Sequence, residues 1–127
     1  FIRIGLLPDA GGTWFLPQKV GLQKAMGLAM TGNKISGEEA DQMGLIWRSV
    51  EDESLMDEAQ QLAQELAALP SLALAEIKRA MYAANNHTLK QQLDIEAAAQ
   101  NRLGASKDFR EGVSAFLEKR PAQFKGQ

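Results

Sequence analysis

The sequence predicts a mainly α chain, and three observations carry that prediction. From Ser54 almost to the C-terminus, apolar residues return at spacings of three and four, the period of one helix face. Two capping boxes stand where helices should begin, Ser36-Gly37-Glu38-Glu39 and Thr88-Leu89-Lys90-Gln91. Taken together, the helical patterns cover roughly two-thirds of the residues, about twice the usual share.

Each element has its own signal. Phe1-Ile2-Arg3-Ile4 is short and apolar and reads as a strand, and the dense turn chemistry of Leu6-Leu7-Pro8-Asp9-Ala10-Gly11-Gly12-Thr13 reads as a strand-to-helix loop. Residues 14–20 continue as a short helix with Pro17 tolerated in its first turn, and Gly21 ends it. Leu22, Ala25, Met26 and Ala29 mark a second helix over 22–30, with Gly32-Asn33 as its stop. The Ser36 box opens a third helix that stops at Gly44, and 45–50 reads as a short strand.

Beyond that, Ser54 caps a helix whose stripe is Leu55, Ala59, Leu62, Ala63 and Leu66 and which ends near Pro70. Ser71 starts the next, with Leu74, Ile77 and Met81, broken by Asn85-Asn86-His87. The Thr88 box opens a helix through Leu103 with Gly104 as its C-cap. A last helix spans 106–119 around Phe109, Val113, Phe116 and Leu117. Helices with single apolar stripes need a surface to cover, either one another, a sheet or a second subunit.

Composition removes several function classes. The 127 residues suit one modest domain, and 45% hydrophobic with 24% charged residues is ordinary globular usage, not that of a disordered chain. Fourteen Lys and Arg against sixteen Asp and Glu leave a formal charge of −2, without the basic footprint of a nucleic-acid binder or a polybasic membrane segment. With no cysteine and one histidine, neither a disulfide framework nor a thiolate or histidine-rich metal site is expected, and a cytoplasmic location fits best. No apolar run approaches the ~20 residues of a membrane span, and the opening residues do not look like a signal peptide. A strand at residue 1 has no sheet partner in the rest of the chain, so the sequence reads as the tail of a longer protein.

The chemistry is concentrated in the loop. It puts a carboxylate and a glycine pair where a chain passes from strand to helix, a common place for ligand contact in α/β structures. Glycine N–H groups at a helix start can meet a carbonyl oxygen or an anion, and Asp9 could act as acid or base. Asp is also among the best N-caps, and spacing alone gives Asp9 that role as readily. The pair lacks both the G-x-G-x-x-G pattern and the Lys of a phosphate-binding loop, so a nucleotide-phosphate cradle is not supported.

Four ordered segments resemble the enoyl-CoA hydratase/isomerase (crotonase) superfamily: residues 4–13, residues 30–40, Gly44-Leu45-Ile46, and residues 109–120. The run Pro8-Asp9 with Gly11-Gly12-Thr13-Trp14-Phe15-Leu16-Pro17, and Gly44-Leu45-Ile46-Trp47, is most similar to the ring-1,2-epoxyphenylacetyl-CoA isomerase branch of phenylacetate catabolism. The resemblance implies a spiral of ββα units followed by a helical region that packs in trimers or dimers of trimers. Residues 1–50 would be the end of the spiral with the active-site loop, and 51–127 the helical region that covers the coenzyme.

It also implies an acyl-CoA substrate whose thioester enolate is held by two backbone N–H groups lying upstream of this motif. Coenzyme A would enter as part of the substrate, with no separate cofactor. One catalytic Glu of the hydratases corresponds to Phe1 here, which argues against hydration, whereas the acid/base Asp of isomerase-type members corresponds to Asp9. Gly11, Gly12, Thr13, Trp14 and Phe15 would then line the substrate side, with Trp14 and Phe15 forming a desolvated wall that raises the proton affinity of Asp9. Lys119 would contact the nucleotide end of coenzyme A, although a Lys there also suits the helix dipole. Gln100 stands where many hydratases place a Phe beside the adenine.

The expected activity is therefore acyl-CoA isomerisation, with enoyl-CoA hydration and an inactive helical assembly fragment as alternatives. His87 reads as a solvated loop residue. Trp47 and Phe116 read as core anchors, and Met26, Met30, Met43, Met56 and Met81 as packing residues.

Overall fold

The computed structural model describes residues 1–127, of which 68% are helical and none lies in a strand. Two compact units divide the chain, Phe1–Met56 and Asp57–Gln127.

In the first unit, α1 (Gly12–Val20) packs on α2 (Leu22–Thr31), and α3 (Gly37–Gln42) comes next. A single residue, Gly21, closes α1 and opens α2: its N–H donates to Pro17 C=O at 2.9 Å, and its own C=O accepts from Ala25 N–H at 3.1 Å. Pro17 lies in the second turn of α1, not the first as the sequence suggested, so Thr13 C=O loses the helical bond that a residue with an N–H would supply. The Ser36 capping box forms with both halves in place, Glu39 N–H to Ser36 Oγ at 3.2 Å and Ser36 N–H to Glu39 Oε2 at 2.8 Å.

Neither expected strand forms. Residues 2–4 make one 3₁₀ turn, with Ile4 N–H donating to Phe1 C=O at 2.9 Å and Gly5 N–H to Ile2 C=O at 3.1 Å. A strand's donors and acceptors need a neighbouring extended segment, and with none alongside, the backbone closes its bonds locally. Residues 45–50 run as a bend and irregular chain, tied back to α3 by Ser49 N–H donating to Asp41 Oδ2 at 2.8 Å. Ser54 is likewise the last residue of a 3₁₀ turn, Asp52–Ser54, that leads into α4 (Leu55–Ala67).

The second unit holds most of α4, then α5 (Ser71–Ala84), α6 (Leu89–Gly104) and α7 (Lys107–Glu118). Helix α6 packs on both α5 and α7. The Thr88 box opens α6, with Gln91 N–H to Thr88 Oγ1 at 3.3 Å and Thr88 N–H to Gln91 Oε1 at 2.9 Å. Gly104 is the last residue of α6 and not its left-handed cap; the helix runs into Ala105 at φ −86°, because the Ser106 cap of α7 comes at once. Gln92 joins two elements, donating to Ala80 C=O at 3.1 Å and pairing with His87 Nδ1 at 3.2 Å, so His87 is half-buried and partnered and not simply solvated. Glu76 of α5 bridges Arg79 at 2.5 Å and Arg102 of α6 at 3.0 Å. Burial raises the Glu76 pKa, but the hydrogen bonds from Arg102 and Arg79 outweigh it and hold the carboxyl below its ordinary value.

The buried apolar residues are four alanines, Ala25, Ala40, Ala99 and Ala115. Trp47 and Phe116 are not core anchors within this chain, at 85% and 83% exposure, and Met26, Met30, Met56 and Met81 are exposed too. Their stripes exist at the predicted spacing, but the helices meet along their small residues and leave the large ones outward. No helix is long and apolar enough to cross a membrane.

Candidate active site

The loop between the first turn and α1 is shaped by two consecutive left-handed residues. Ala10 has φ +50° and Gly11 φ +85°. Glycine adopts this region freely, whereas an L side chain costs about 1–2 kcal/mol there. Position 11 excludes a side chain for a second reason, since a Cβ would lie 2.9 Å from Cε2 of Phe15. The ring of Phe15 is thus folded over Gly11, and Trp14 meets it edge-on with centroids 4.8 Å apart at 88°. Gly12 starts the helix against Pro8, whose Cβ would stand 3.1 Å from a Cβ at position 12.

This geometry decides between the two readings of Asp9. The N-cap of α1 is Gly11, and it has no side-chain capping bond. Asp9 contributes its backbone instead: its C=O accepts from Gly12 N–H at 2.8 Å, while Gly11 C=O accepts from Trp14 and Phe15 N–H, each at 2.9 Å. The Asp9 carboxylate is therefore exposed and not used as a cap. Most first-turn donors are spent inside the loop, so Gly12 does not offer its N–H to a ligand.

Asp9, Gly11, Gly12, Thr13, Trp14 and Phe15 are brought together on this loop and the first turn of α1. The desolvated wall expected around Asp9 is not formed by these residues alone, because Trp14 and Phe15 are 49% and 51% exposed, with Phe15 turned onto Gly11. Gly12 and Thr13 instead border an apolar cavity of about 150 Å³ with Pro8, Leu16, Met26 and Met30. Met26 and Met30 come from α2, so the α1–α2 pair shapes this cavity.

Lys119 lies in the second unit, at the C-cap of α7, with φ +54°. Its N–H donates to Phe116 C=O at 3.3 Å and Arg120 N–H to Ala115 C=O at 3.0 Å, which closes the helix end. Around it stands a polar arrangement that sequence reasoning missed. Arg120 grips Glu111 with both ends of its guanidinium, Nη1 to Oε1 at 2.6 Å and Nη2 to Oε2 at 3.0 Å, and its Nε reaches Glu118 Oε2 at 2.6 Å. Glu111 also accepts from Gln123 N–H at 2.8 Å. The Arg120 hydrogen bonds, with the Gln123 N–H, bring the Glu111 pKa down to about 2. Arg120 is shifted further upward by the same partners, Glu111 first and then Glu118.

A second carboxylate holds the chain end. Asp108, 5% exposed, accepts from Lys125 N–H and Gly126 N–H, both at 2.8 Å, and its own N–H donates to Gln127 C=O at 3.0 Å. Gly126 makes this close approach at φ +72°, where a Cβ would meet Ser71 Oγ at 2.5 Å. The strapped tail lays Phe124 over Gly112, on the edge of an apolar groove of about 440 Å³ that includes Gln100, Phe109 and Phe116. Lys119 is not among the walls of this groove.

Comparison with known proteins assigns the family. The model of the family described as "Enoyl-CoA hydratase/isomerase" matches residues 1–127. The chain belongs to the enoyl-CoA hydratase/isomerase family. It is 52% identical over 127 residues to the 1,2-epoxyphenylacetyl-CoA isomerase of Escherichia coli, covering 100% of this chain and 48% of that protein. It is also 52% identical over 127 residues to a Rhodobacter capsulatus protein named as a probable enoyl-CoA hydratase, covering 49% of it. An enoyl-CoA hydratase subunit I structure from Geobacillus kaustophilus superposes with a TM-score of 0.94 at 40% identity, over 99% of this chain and 49% of that one. The chain thus spans about half the length of the family members it matches, and it is a helical segment of the crotonase fold.

Proposed function

We propose that this chain provides the Asp9 loop and the helical region of an acyl-CoA isomerase, with Asp9 moving a proton on the acyl chain. The observation that carries the reading is the carboxylate itself: it sits at the entry of α1, and Gly11 rather than Asp9 caps the helix. A group spared from structural duty, on a loop fixed by a left-handed Ala10–Gly11 pair, is available to a substrate. The proton leaves one carbon of the acyl chain for the Asp9 carboxylate and returns to another, while the negative charge rests on the thioester oxygen. Backbone N–H donors outside this chain hold that oxygen. Coenzyme A enters as part of the substrate, and Lys119 meets its nucleotide end.

The match to the Escherichia coli protein supports isomerisation of a ring-epoxide thioester as the specific reaction. Hydration of an enoyl-CoA is the second reading, favoured by the equally similar Rhodobacter capsulatus protein's name. It requires carboxylates that activate water, and the position corresponding to one of them is Phe1. The exposed apolar side chains of α4 to α7 support a further part of the proposal, packing of the helical region against other copies in a trimer. By itself the chain would then be an assembly element without turnover.

Asp9→Asn in the full-length protein tests the assignment. Removal of a general acid/base lowers turnover by about 100-fold or more. Near-normal isomerisation by that variant would sink it, and water addition to a simple trans-2-enoyl-CoA at comparable rate would favour the second reading.

A further inference from the structure

The charged triplet Glu118-Lys119-Arg120 is divided by its geometry. The outer two residues neutralise each other through Arg120 Nε and Glu118 Oε2 at 2.6 Å, and Arg120 is further locked to Glu111 by the two-pronged grip at 2.6 and 3.0 Å. Lys119 is left between them, exposed, with its backbone at φ +54° and its ammonium in no ion pair. Its backbone has little freedom: the residue before it ends α7, and the residue after it is anchored one face back along the same helix. Resting on the reading of Lys119 as the cation for the nucleotide end of coenzyme A, we infer that Glu111 is a positioning residue for that cation, acting through Arg120.

Three features of the α7 end give Glu111 this role. First, Arg120 cannot compete with Lys119 for an anionic ligand, because two carboxylates already neutralise it and hold its planar fork. Second, a Lys held at a left-handed cap leaves the helix in one direction, so less backbone order has to be imposed when a phosphate binds. Third, the anchor also fixes the tail beyond Arg120, since Glu111 Oε1 takes Gln123 N–H at 2.8 Å and thereby keeps that segment from folding across Lys119. Without the Glu111 carboxylate, Arg120 would keep only its Nε contact to Glu118, leaving the rest of its fork unpaired next to Lys119, and the cap would lose its brace.

The test measures binding in the purified full-length protein by calorimetry, with octanoyl-CoA and octanoyl-pantetheine as probes. The second lacks the nucleotide, and neither has the double bond that isomerisation or hydration requires. The readout is the ratio of the two Kd values, which a general loss of folded protein does not move. Glu111→Gln is expected to reduce the preference for octanoyl-CoA about 2- to 10-fold, the range for losing the pre-ordering of one side chain. Lys119→Ala is expected to reduce it at least as far, and adding Glu111→Gln to Lys119→Ala to reduce it no further. If Lys119→Ala lowers the preference and Glu111→Gln leaves it at the wild-type value, the positioning role is overturned while the Lys119 reading stands. If Lys119→Ala itself leaves the preference unchanged, the Lys119 reading falls and the inference with it.

Discussion

Replacing Asp108 by alanine should release the last three residues of the chain. The Asp108 carboxylate receives two backbone N–H groups at 2.8 Å each. Hydrogen bonds to a charged acceptor contribute about 1.5–3 kcal/mol each, so the pair supplies about 3–6 kcal/mol. Ordering the backbone of residues 125–127 costs about 1–2 kcal/mol per residue, again about 3–6 kcal/mol. The two sums nearly cancel, and contact of Phe124 with Gly112 provides the margin that keeps the strap closed. Losing the carboxylate's contribution, about 3–6 kcal/mol, exceeds that margin and leaves the strap open. Hydrogen exchange followed at the Lys125 and Gly126 amides reads this directly: protection should fall to that of an unstructured chain in Asp108→Ala. Asp108→Asn keeps one carbonyl acceptor and turns its amide N–H₂ toward the other donor, so it should fall between the two. The helix itself keeps its Ser106 cap, with Phe109 N–H to Oγ at 3.0 Å, and amides in the middle of α7 should be little affected. Unchanged protection of Lys125 and Gly126 in the alanine variant would refute the reasoning, because no other acceptor in the structure takes those two donors.

Three further outcomes rest on single features. Gly11→Ala places a side chain at φ +85° and forces the Phe15 ring away, so the full-length protein should lose about 1–2 kcal/mol or more; an unaltered unfolding midpoint would contradict the left-handed geometry. Thr88→Ala removes the cap of α6 and should cost about 1 kcal/mol in a urea titration, with Gln91 amide exchange rising locally. Glu111 has a folded pKa of about 2 against an ordinary 4.5, so its contribution is complete above pH 4.5 and is lost as the pH falls toward 2; a carboxyl titration by NMR with a midpoint near 4.5 would show the Arg120 grip to be absent.

What could be read from residue order was whatever a few neighbouring residues decide. The capping boxes at Ser36 and Thr88 each need only a side chain and an N–H three residues on, and each formed. The Asp9 motif was likewise legible as a loop entering a helix, though the choice between cap and free carboxylate depended on where the left-handed turn fell. Strands at 1–4 and 45–50 failed because a strand depends on a partner, which short-range pattern does not supply. Gly104 looked like a C-cap, but α6 includes it and ends on Ala105, directly before the Ser106 cap of α7. Asp108 gave no signal, since its partners are backbone N–H groups 17 and 18 residues away, which any residue but proline would offer. Glu111 and Arg120 are nine apart, outside the i, i+4 spacing that would have paired them on one helix.

The alanine interior has one more consequence. At the buried Ala25, Ala40, Ala99 and Ala115 there is almost no side chain to shorten and little room for a longer one, so these four positions punish enlargement. The large apolar residues behave in the opposite way: trimming Trp47 or Phe116 removes almost nothing from the contacts inside this chain. A mutational scan read through the melting of this segment would rank the alanines first and pass over Trp47 and Phe116.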